Sequence, residues 1–329
     1  MDRAGRRTVA ATFPVPEGQR AAFLDELSDL ADVAFVADLD DGARLAALRG
    51  AEAILSWMWE AEVREDERSE LPNVRFIQLV SAGADGVPFG QMPAGVSIAG
   101  NVGAYAEPMA EHAMALALAL AKRLPQRHAE LARGEYRHFA FGKGLEGSVA
   151  GILGYGGIGR AVARRMRAFG ARIHAVNTSG STGDQVEFVG TLDDLDQVLR
   201  AADVLIIALP LTRATRGLIG DRELGLMKSD AILVNVARAA IVDERALFDH
   251  LRWNPDFMAG LDVWWREPLS HGEFEIDHPF FELPNVLGTP HNSALVPGSL
   301  EAAARSAARN VRRHLLGEPV RGLVRREDY

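Results

Sequence analysis

The stretch VAGILGYGGIGRAVARRMRAFG, residues 149–170, decides the fold. It begins with an apolar run, continues through a glycine-rich turn at 154–159 and ends in a helical pattern at 160–169. A strand, a G-x-G-x-x-G turn and a helix in this order open a βαβ unit. In such a turn the first glycine allows the tight bend, the second lets a pyrophosphate approach the backbone, and the third lets the helix pack closely. The stretch therefore predicts a dinucleotide-binding unit, and the binding residues that we assign to it are Gly154, Gly156, Gly157, Ile158 and Gly159.

The alternation of short β-branched runs and amphipathic stretches extends to both sides of this unit. It covers residues 8–80 and 148–288, with a long helical pattern at 105–124 between the two series. Such alternation is typical of parallel sheets covered by helices. The helix and the strand-like segment 319–324 that follow His291 cannot bury themselves alone, so we expect them to pack on the first series. The sequence thus predicts an α/β fold of two Rossmann-like, doubly wound parallel-sheet domains with an active-site cleft between them.

We predict that the first domain comprises residues 1–101 plus 293–329 and binds the substrate. The second domain, with six strands, comprises residues 102–292 and binds the nucleotide. The longest apolar run, AMALALALA at 113–121, is much shorter than the roughly 18 apolar residues that a membrane span needs. It predicts a buried helix and no membrane association.

Composition excludes several other classes of protein. The chain has 329 residues, 48% of them hydrophobic, and a formal net charge of −9. This charge argues against a general nucleic-acid binder. The sequence contains no cysteine, which removes disulfides, thiolate metal sites and cysteine nucleophiles and fits a reducing cytoplasm. No metal-ligand spacing is present, so we expect no bound metal. We also expect a cytoplasmic protein.

The loop after the next strand bears on the choice of cofactor. It reads Asn177-Thr178-Ser179, where an acidic residue would bind the ribose 2′-hydroxyl of NAD. Because no carboxylate stands there to repel a 2′-phosphate, we expect NAD(P) with NADP slightly favoured. The loop offers no arginine to bind that phosphate, however, and binding of Asn177 to the ribose of NAD remains an alternative.

Polar side chains follow three later strands. Arg238 comes after VNVA, Glu267 follows GLDVWWR, and His291 follows LGTP. These are carboxyl ends of strands, where open parallel sheets bind their ligands. Here the sequence resembles the D-isomer-specific 2-hydroxyacid dehydrogenases. The resemblance covers nearly all of residues 73–295, and its motifs are GILGYGGIGRAVA, ALPLTRATRGLIG, LMKSDAILVNVARAAIVDERAL, AGLDVWWREP, LPNVLGTPHNSA and NVGAYAEPMAEHAMAL.

The resemblance implies that Arg238, Glu267 and His291 are catalytic. Reduction of a 2-oxo acid needs a hydride at the carbonyl carbon and a proton on its oxygen, and histidine is the usual proton donor near neutral pH. A carboxylate beside the ring stabilises the imidazolium. The planar fork of arginine suits the substrate carboxylate. The expected activity is that of an NAD(P)-dependent oxidoreductase acting on a small 2-oxo or 2-hydroxy acid, such as a glyoxylate or hydroxypyruvate reductase.

The family pattern assigns further residues. It implies that Pro210, Thr215, Ala237 and Asp262 line the cofactor site, and that the backbone amides of Ala82 and Gly83 bind the substrate carboxylate together with Arg238. It also suggests a homodimer with the 105–124 helix as a contact, whereas a packing role for His112 is favoured over a chemical one.

Three features depart from the family pattern. Ala239 replaces the usual glycine after the catalytic arginine, Gly157 replaces a common arginine in the phosphate turn, and residues 269–280 look like a local insertion. Two alternatives stay open. One is a cofactor-sensing, corepressor-like binding protein of the same fold, and the other is a phosphite- or formate-type dehydrogenase.

Overall fold

The computed structural model describes residues 6–92 and 95–329, so the first five residues of the predicted first domain lie outside the described residues. The chain divides into two compact units, one formed by Met1–Tyr105 with Val296–Tyr329 and the other by Ala106–Leu295. We call these the discontinuous unit and the central unit. The sequence predicted domain boundaries near residues 101 and 293, and these boundaries stay predictions.

The discontinuous unit contains a five-stranded sheet of order β2-β1-β3-β4-β5, and all of its pairings are parallel. The order turns back on itself between β1 and β3, as in doubly wound folds. Its core is apolar on both faces of the sheet, as expected for a parallel sheet covered by helices. The strands are β1 Arg7–Ala11, β2 Ala31–Phe35, β3 Ala51–Ser56, β4 Phe76–Leu79 and β5 Ser97–Ala99, and the helices are α1 Glu17–Leu27, α2 Asp41–Gly50, α3 Trp59–Glu62 and α4 Glu65–Arg68.

The central unit contains a seven-stranded sheet of order β12-β11-β10-β9-β6-β7-β8, again parallel throughout. The sequence predicted six strands here. The additional strand, β8, is only three residues long, too short to show periodicity. The strands are β6 Val149–Leu153, β7 Arg172–Val176, β8 Phe188–Gly190, β9 Val204–Ile207, β10 Ile232–Asn235, β11 Met258–Leu261 and β12 Val286–Gly288.

Helices cover both faces of this sheet. They are α5 Ala106–Ala121, α6 Leu124–Ala132, α7 Gly157–Ala168, α8 Leu195–Ala201, α9 Asp221–Leu226, α10 Glu244–Trp253 and α11 Pro268–His271. The helix predicted over 105–124 is α5, which ends at Ala121, and a further helix, α6, begins at Leu124. Arg123 adopts a left-handed conformation with φ 52°, which ends α5 and redirects the chain. Pro125 lies in the first turn of α6, where a missing N–H breaks no helical hydrogen bond.

The last helix of the chain, α12 Ser299–Leu316, returns to the discontinuous unit and packs along α1. The strand-like segment expected at 319–324 pairs with β5 through one antiparallel bridge, Leu323 with Ala99, and forms no longer ladder among the described residues. The Gly100 N–H donates to the Gly322 carbonyl and the Val324 N–H donates to the Ile98 carbonyl, both at 2.9 Å. Gly322 has φ +69°, and a Cβ there would lie 2.5 Å from the Gly100 carbonyl oxygen, so the chain bends within this segment.

Within residues 6–92 and 95–329, no helix is both long and apolar enough to cross a lipid bilayer. The predicted cytoplasmic location is a separate matter and stays a prediction.

Candidate active site

The predicted site residues of the central unit lie just beyond the carboxyl ends of its strands. Gly154 follows β6, Asn177 follows β7, Pro210 follows β9, Arg238 follows β10 and Asp262 follows β11. His291 comes three residues after β12 in the same way. Since all seven strands are parallel, these positions share one edge of the sheet. The strand order reverses between β6 and β9, so the glycine-rich turn stands at the topological switch point.

The glycine-rich turn fits a bound pyrophosphate. Gly154 has φ +98°, and a Cβ there would lie 2.5 Å from the Ala208 carbonyl oxygen, while a Cβ on Gly159 would lie 2.1 Å from the Gly154 carbonyl oxygen. Any side chain at either position would therefore displace backbone. A Cβ on Gly156, in contrast, would meet no atom within 4 Å. This leaves open space beside the first turn of α7, whose N–H groups lack helical acceptors and favour an anion.

The Asn177 side chain organises the loop in which it lies. Its Oδ1 accepts hydrogen bonds from the N–H groups of Ser179 (3.0 Å) and Gly180 (2.7 Å), and its Nδ2 donates to the Ser181 carbonyl (2.8 Å). Thr178 is exposed. The amide thus holds the turn in which the predicted cofactor residues 177–179 stand.

Arg160 is the cation near this loop that sequence reasoning missed. It belongs to α7, yet its guanidinium lies 3.5 Å from Thr182 Oγ1 and 3.7 Å from the Asp184 carboxylate. It also lies 5.7 Å from the ring centroid of Tyr155. The side chain remains about half exposed. An arginine of the preceding helix α7 thus lies beside residues 182–184, in the loop that follows β7.

Two other predicted cofactor residues form one turn after β9. Thr215 Oγ1 donates to the Pro210 carbonyl (2.7 Å) and accepts from the Thr212 N–H (2.8 Å). Thr215 is buried, so its hydroxyl shapes this loop. Ala237, also buried, lies after β10, where its N–H donates to Asn235 Oδ1 (3.0 Å).

A hydrogen bond joins His291 and Glu267. The Nδ1 of His291 lies 2.6 Å from Glu267 Oε2, and the second carboxylate oxygen accepts the Trp264 N–H at 2.7 Å. Burial raises the pKa of the Glu267 carboxyl, but the hydrogen bonds from His291 and Trp264 and the charges of His291 and Arg238 outweigh it, so that pKa is lowered overall. Glu267 is thus held as a carboxylate against the His291 ring.

Arg238 is half-buried at the end of β10. Its Nη1 donates to the Ala237 carbonyl (2.8 Å), and Asn235 Nδ2 donates to the Arg238 carbonyl (3.0 Å). Ala239 begins a short 3₁₀ turn and does not adopt a positive φ. The backbone after Arg238 therefore accommodates alanine where the family pattern has glycine.

The buried carboxylate of Asp262 holds the loop that carries His291. Its Oδ1 accepts from Thr289 Oγ1 (2.6 Å) and from the Asn292 N–H (3.1 Å), and its Oδ2 accepts from the Ser293 N–H (3.0 Å). His291, between these contacts, has φ +52°, a conformation that non-glycine residues rarely adopt. Asp262 has no exposed area, so its carboxylate supports this loop. Its place in the cofactor site stays a prediction.

His112 of α5 joins the same network. Its Nε2 lies 2.9 Å from Thr289 Oγ1 and 3.6 Å from Asp262 Oδ1. The single hydroxyl proton of Thr289 is donated to Asp262, because a carboxylate only accepts. Nε2 of His112 must then carry a proton and donate it to Thr289. The packing role predicted for His112 thus includes a polar contact, and Thr289 is the member of the network that sequence reasoning missed.

The predicted substrate loop lies in the discontinuous unit. Ser81 Oγ donates to the Gly83 carbonyl (3.1 Å), and the Asn101 N–H donates to the Ser81 carbonyl (2.9 Å). The N–H groups of Ala82 and Gly83 have no hydrogen-bond acceptor among the described residues. They are available to bind an external acceptor.

Among the described residues, this site included, no three histidine or carboxylate side chains are close enough together to hold a metal ion.

The fold and this edge of the sheet define a nucleotide-dependent α/β oxidoreductase. Residues 114–293 match the model of the D-isomer specific 2-hydroxyacid dehydrogenase, NAD binding domain. The chain belongs to the D-isomer-specific 2-hydroxyacid dehydrogenase family.

Three similar proteins illustrate its range. The chain is 31% identical over 292 residues to a glyoxylate reductase of Thermococcus gammatolerans, covering 86% of this chain and 85% of that one. It is 36% identical over 220 residues to a D-3-phosphoglycerate dehydrogenase of Methanocaldococcus jannaschii, covering 66% of this chain but 40% of that protein. The structure of a D-isomer specific 2-hydroxyacid dehydrogenase from Xanthobacter autotrophicus, in complex with NADPH and MES, matches with a TM-score of 0.80 and 25% identity over 99% of this chain and 100% of that one.

The Asp262 network predicts the effect of replacing Thr289 by valine. Thr289→Val keeps the shape but leaves Asp262 Oδ1 and His112 Nε2 without their shared partner, which should lower the free energy of unfolding by about 1–3 kcal/mol. Urea denaturation followed by tryptophan fluorescence measures the change. Thr178→Val, at an exposed position, is the control and should unfold like the wild type. Equal stability of all three proteins would show that the network does not hold the loop.

Proposed function

We propose that this chain transfers a hydride between NAD(P)H and the C2 carbonyl of a small 2-oxo acid, forming a D-2-hydroxy acid. The observation that carries the proposal is the 2.6 Å contact between His291 Nδ1 and Glu267 Oε2, on the sheet edge that holds the glycine-rich turn. An imidazole held by a carboxylate at one nitrogen can donate a proton from the other. The reductases and dehydrogenases among the relatives support the same class of reaction.

In this mechanism each side chain has a separate task. A bound nicotinamide would supply the hydride. The imidazolium of His291 donates the proton to the C2 oxygen through Nε2, and Glu267 holds Nδ1 and stabilises the positive charge before transfer. Arg238 binds the substrate carboxylate with its planar fork. The free N–H groups of Ala82 and Gly83 are proposed to bind the same carboxylate.

The proposal is tested with a panel of 2-oxo acids: glyoxylate, hydroxypyruvate, pyruvate, phenylpyruvate and branched-chain acids, each with NADH and with NADPH. The wild type should reduce at least one of them. kcat/KM should fall as pH rises, because only the imidazolium donates. Because the pKa of Glu267 is lowered, its side chain stays a carboxylate at pH values below those at which a glutamate is ordinarily protonated. Glu267→Gln removes the charge that stabilises the imidazolium and should therefore move the alkaline limb of the profile to lower pH.

His291→Ala tests the proposed proton donor directly. It should lose most turnover, while cofactor affinity, measured by fluorescence titration, stays near that of the wild type. An alkaline limb unmoved in Glu267→Gln would remove that residue from the mechanism. Cofactor binding without turnover of any acid by the wild type would contradict the enzyme proposal and favour a cofactor-sensing protein.

We further propose that NADPH is accepted at least as well as NADH. Asn177 places no negative charge at the end of β7, and the exposed guanidinium of Arg160 reaches the same loop. Arg160→Gln should weaken NADPH by about tenfold or more, as expected for a charge-assisted hydrogen bond, and leave NADH nearly unchanged. Asn177→Asp keeps the acceptor oxygen of the turn and should shift the preference toward NADH.

Steady-state kinetics with both cofactors measure these shifts. Arg164→Gln removes an equally charged, exposed side chain from the same helix and should leave the ratio unchanged. A wild-type preference for NADH above about a hundredfold, on the order of 2.7 kcal/mol, would refute the cofactor assignment.

We also propose a homodimer, with a contact in addition to the one expected on the 105–124 helix. The apolar face of α5 is buried against the sheet and α7 of its own unit. The segment after α6 instead exposes Tyr136, Phe139 and Phe141, each about four-fifths or more accessible. Clustered exposed aromatic rings are typical of interaction surfaces, and the proposed occupant is a second copy of the chain.

Sedimentation velocity tests this contact. The wild type should sediment as a dimer, and the double variant Phe139→Ser with Phe141→Ser as a monomer. Phe169→Ser, at another exposed phenylalanine, should remain dimeric. A monomeric wild type, or a dimer that survives the double substitution, would contradict the proposal.

A further inference from the structure

The discontinuous unit contains a cavity of about 330 Å³ whose lining is unusually basic. Arg305, Arg309, Arg313 and Arg321 all line it, together with the loop residues 100–102 and Ser306. Four arginines around one cavity stand out in a chain whose net charge is −9. The residues that line the cavity all belong to this unit, and among them only Asn101, which also holds the Ser81 loop, was part of the site described above.

Three of the four arginines follow one another on a single face of α12. Arg305, Arg309 and Arg313 are spaced four residues apart, which brings neighbouring side chains together on a helix. Like charges at this spacing destabilise a helix. The arrangement therefore costs stability unless counter-charges offset it.

Carboxylates of α1 offset only part of this charge. Arg305 pairs with Asp25 (3.1 Å) and Glu26 (3.3 Å), and Arg309 pairs with Glu26 (3.0 Å). Arg313 and Arg321 have no carboxylate within ion-pair distance among the described residues. The cavity thus has two guanidinium groups whose charge the protein itself does not neutralise.

The walls of the cavity are held by buried polar contacts. The buried side chain of Asn310 donates to the Arg321 carbonyl (2.9 Å) and accepts the Arg321 N–H (2.9 Å), which attaches the segment after α12 to the helix. Asn101, also buried, donates to the Ala303 carbonyl (2.9 Å) and ties the opposite wall to the helix. The Gly100 N–H bonds the Gly322 carbonyl at 2.9 Å. The backbone that presents the arginines is therefore fixed before any ligand binds.

We propose that this cavity binds a small anion carrying at least two negative charges, either a phosphate ester or a polycarboxylate. The planar forks of Arg313 and Arg321 match both phosphate and carboxylate oxygens, and such charge-assisted hydrogen bonds are the strong ones. The volume lies at the lower end of the range for small-molecule sites. A singly charged acid would neutralise only one of the two guanidinium groups and should bind weakly.

Isothermal titration calorimetry of the full chain tests the proposal, in Tris chloride at low salt. The probes are inorganic pyrophosphate, citrate and acetate. The wild type should bind pyrophosphate or citrate well above acetate, and whichever anion binds identifies the ligand class. The double variant Arg313→Gln with Arg321→Gln should weaken that binding by about tenfold or more. Any binding that this double variant retains is assigned to another site, such as the glycine-rich turn.

Two further variants separate a site from general charge effects. Arg75→Gln with Arg200→Gln removes two equal charges at exposed positions outside the cavity and should bind like the wild type. Ala302→Phe keeps all four arginines but fills the cavity that Ala302 lines, and it should lose binding. The proposal is overturned if the wild type binds neither anion above acetate, if both double variants weaken binding equally, or if Ala302→Phe binds normally.

Discussion

The parallel pairing of all seven strands in the central unit is the constraint on which its site depends. Parallel strands release their carboxyl ends at one edge, so loops far apart in sequence meet there. The glycine-rich turn after β6, Arg238 after β10 and His291 after β12 share that edge for this reason alone. Reversing any one strand would move its loop to the opposite edge. The reversal of strand order between β6 and β9 adds open space beside the turn.

Within this frame, the position of His291 depends on a buried carboxylate. A non-glycine residue with positive φ costs about 1–3 kcal/mol. Asp262 accepts three hydrogen bonds from the same loop, and a hydrogen bond to a charged group contributes about 1.5–3 kcal/mol. These three contacts hold the loop in the conformation that gives His291 its positive φ. His112 and Thr289 extend this support into α5, so the helix and the loop are positioned together.

Charge is used differently in the two units. Glu267 is largely buried, and its neighbours lower its pKa and keep it ionised beside His291. In the discontinuous unit the arginines of α12 exceed the carboxylates that face them. A buried carboxylate with a fixed cationic neighbour favours proton transfer at one place, whereas unneutralised guanidinium groups around an open cavity favour a ligand that carries the missing charge.

Much of the architecture could be predicted from residue patterns. The G-x-G-x-x-G turn between a strand and a helix, and the alternation on both sides of it, predicted two parallel-sheet domains, and this prediction is confirmed. The family membership followed from motifs in order. The roles of Arg238, Glu267, His291 and the cofactor residues remain predictions, although the contact between His291 and Glu267 is present as the mechanism requires.

The sequence by itself determined the local features: the glycine turn, the strand ends that carry polar residues, and the lack of a carboxylate at Asn177. These features depend on residues that are close together in the sequence, so the order and spacing of residue types predict them. Only the tertiary structure brought Arg160 to the loop after β7, joined His112 and Thr289 to Asp262, buried the apolar face of α5, and gathered Arg321 with the arginines of α12. The physical reason is that each of these contacts joins segments separated along the chain, and their distance is set by how helices and loops pack on the sheets.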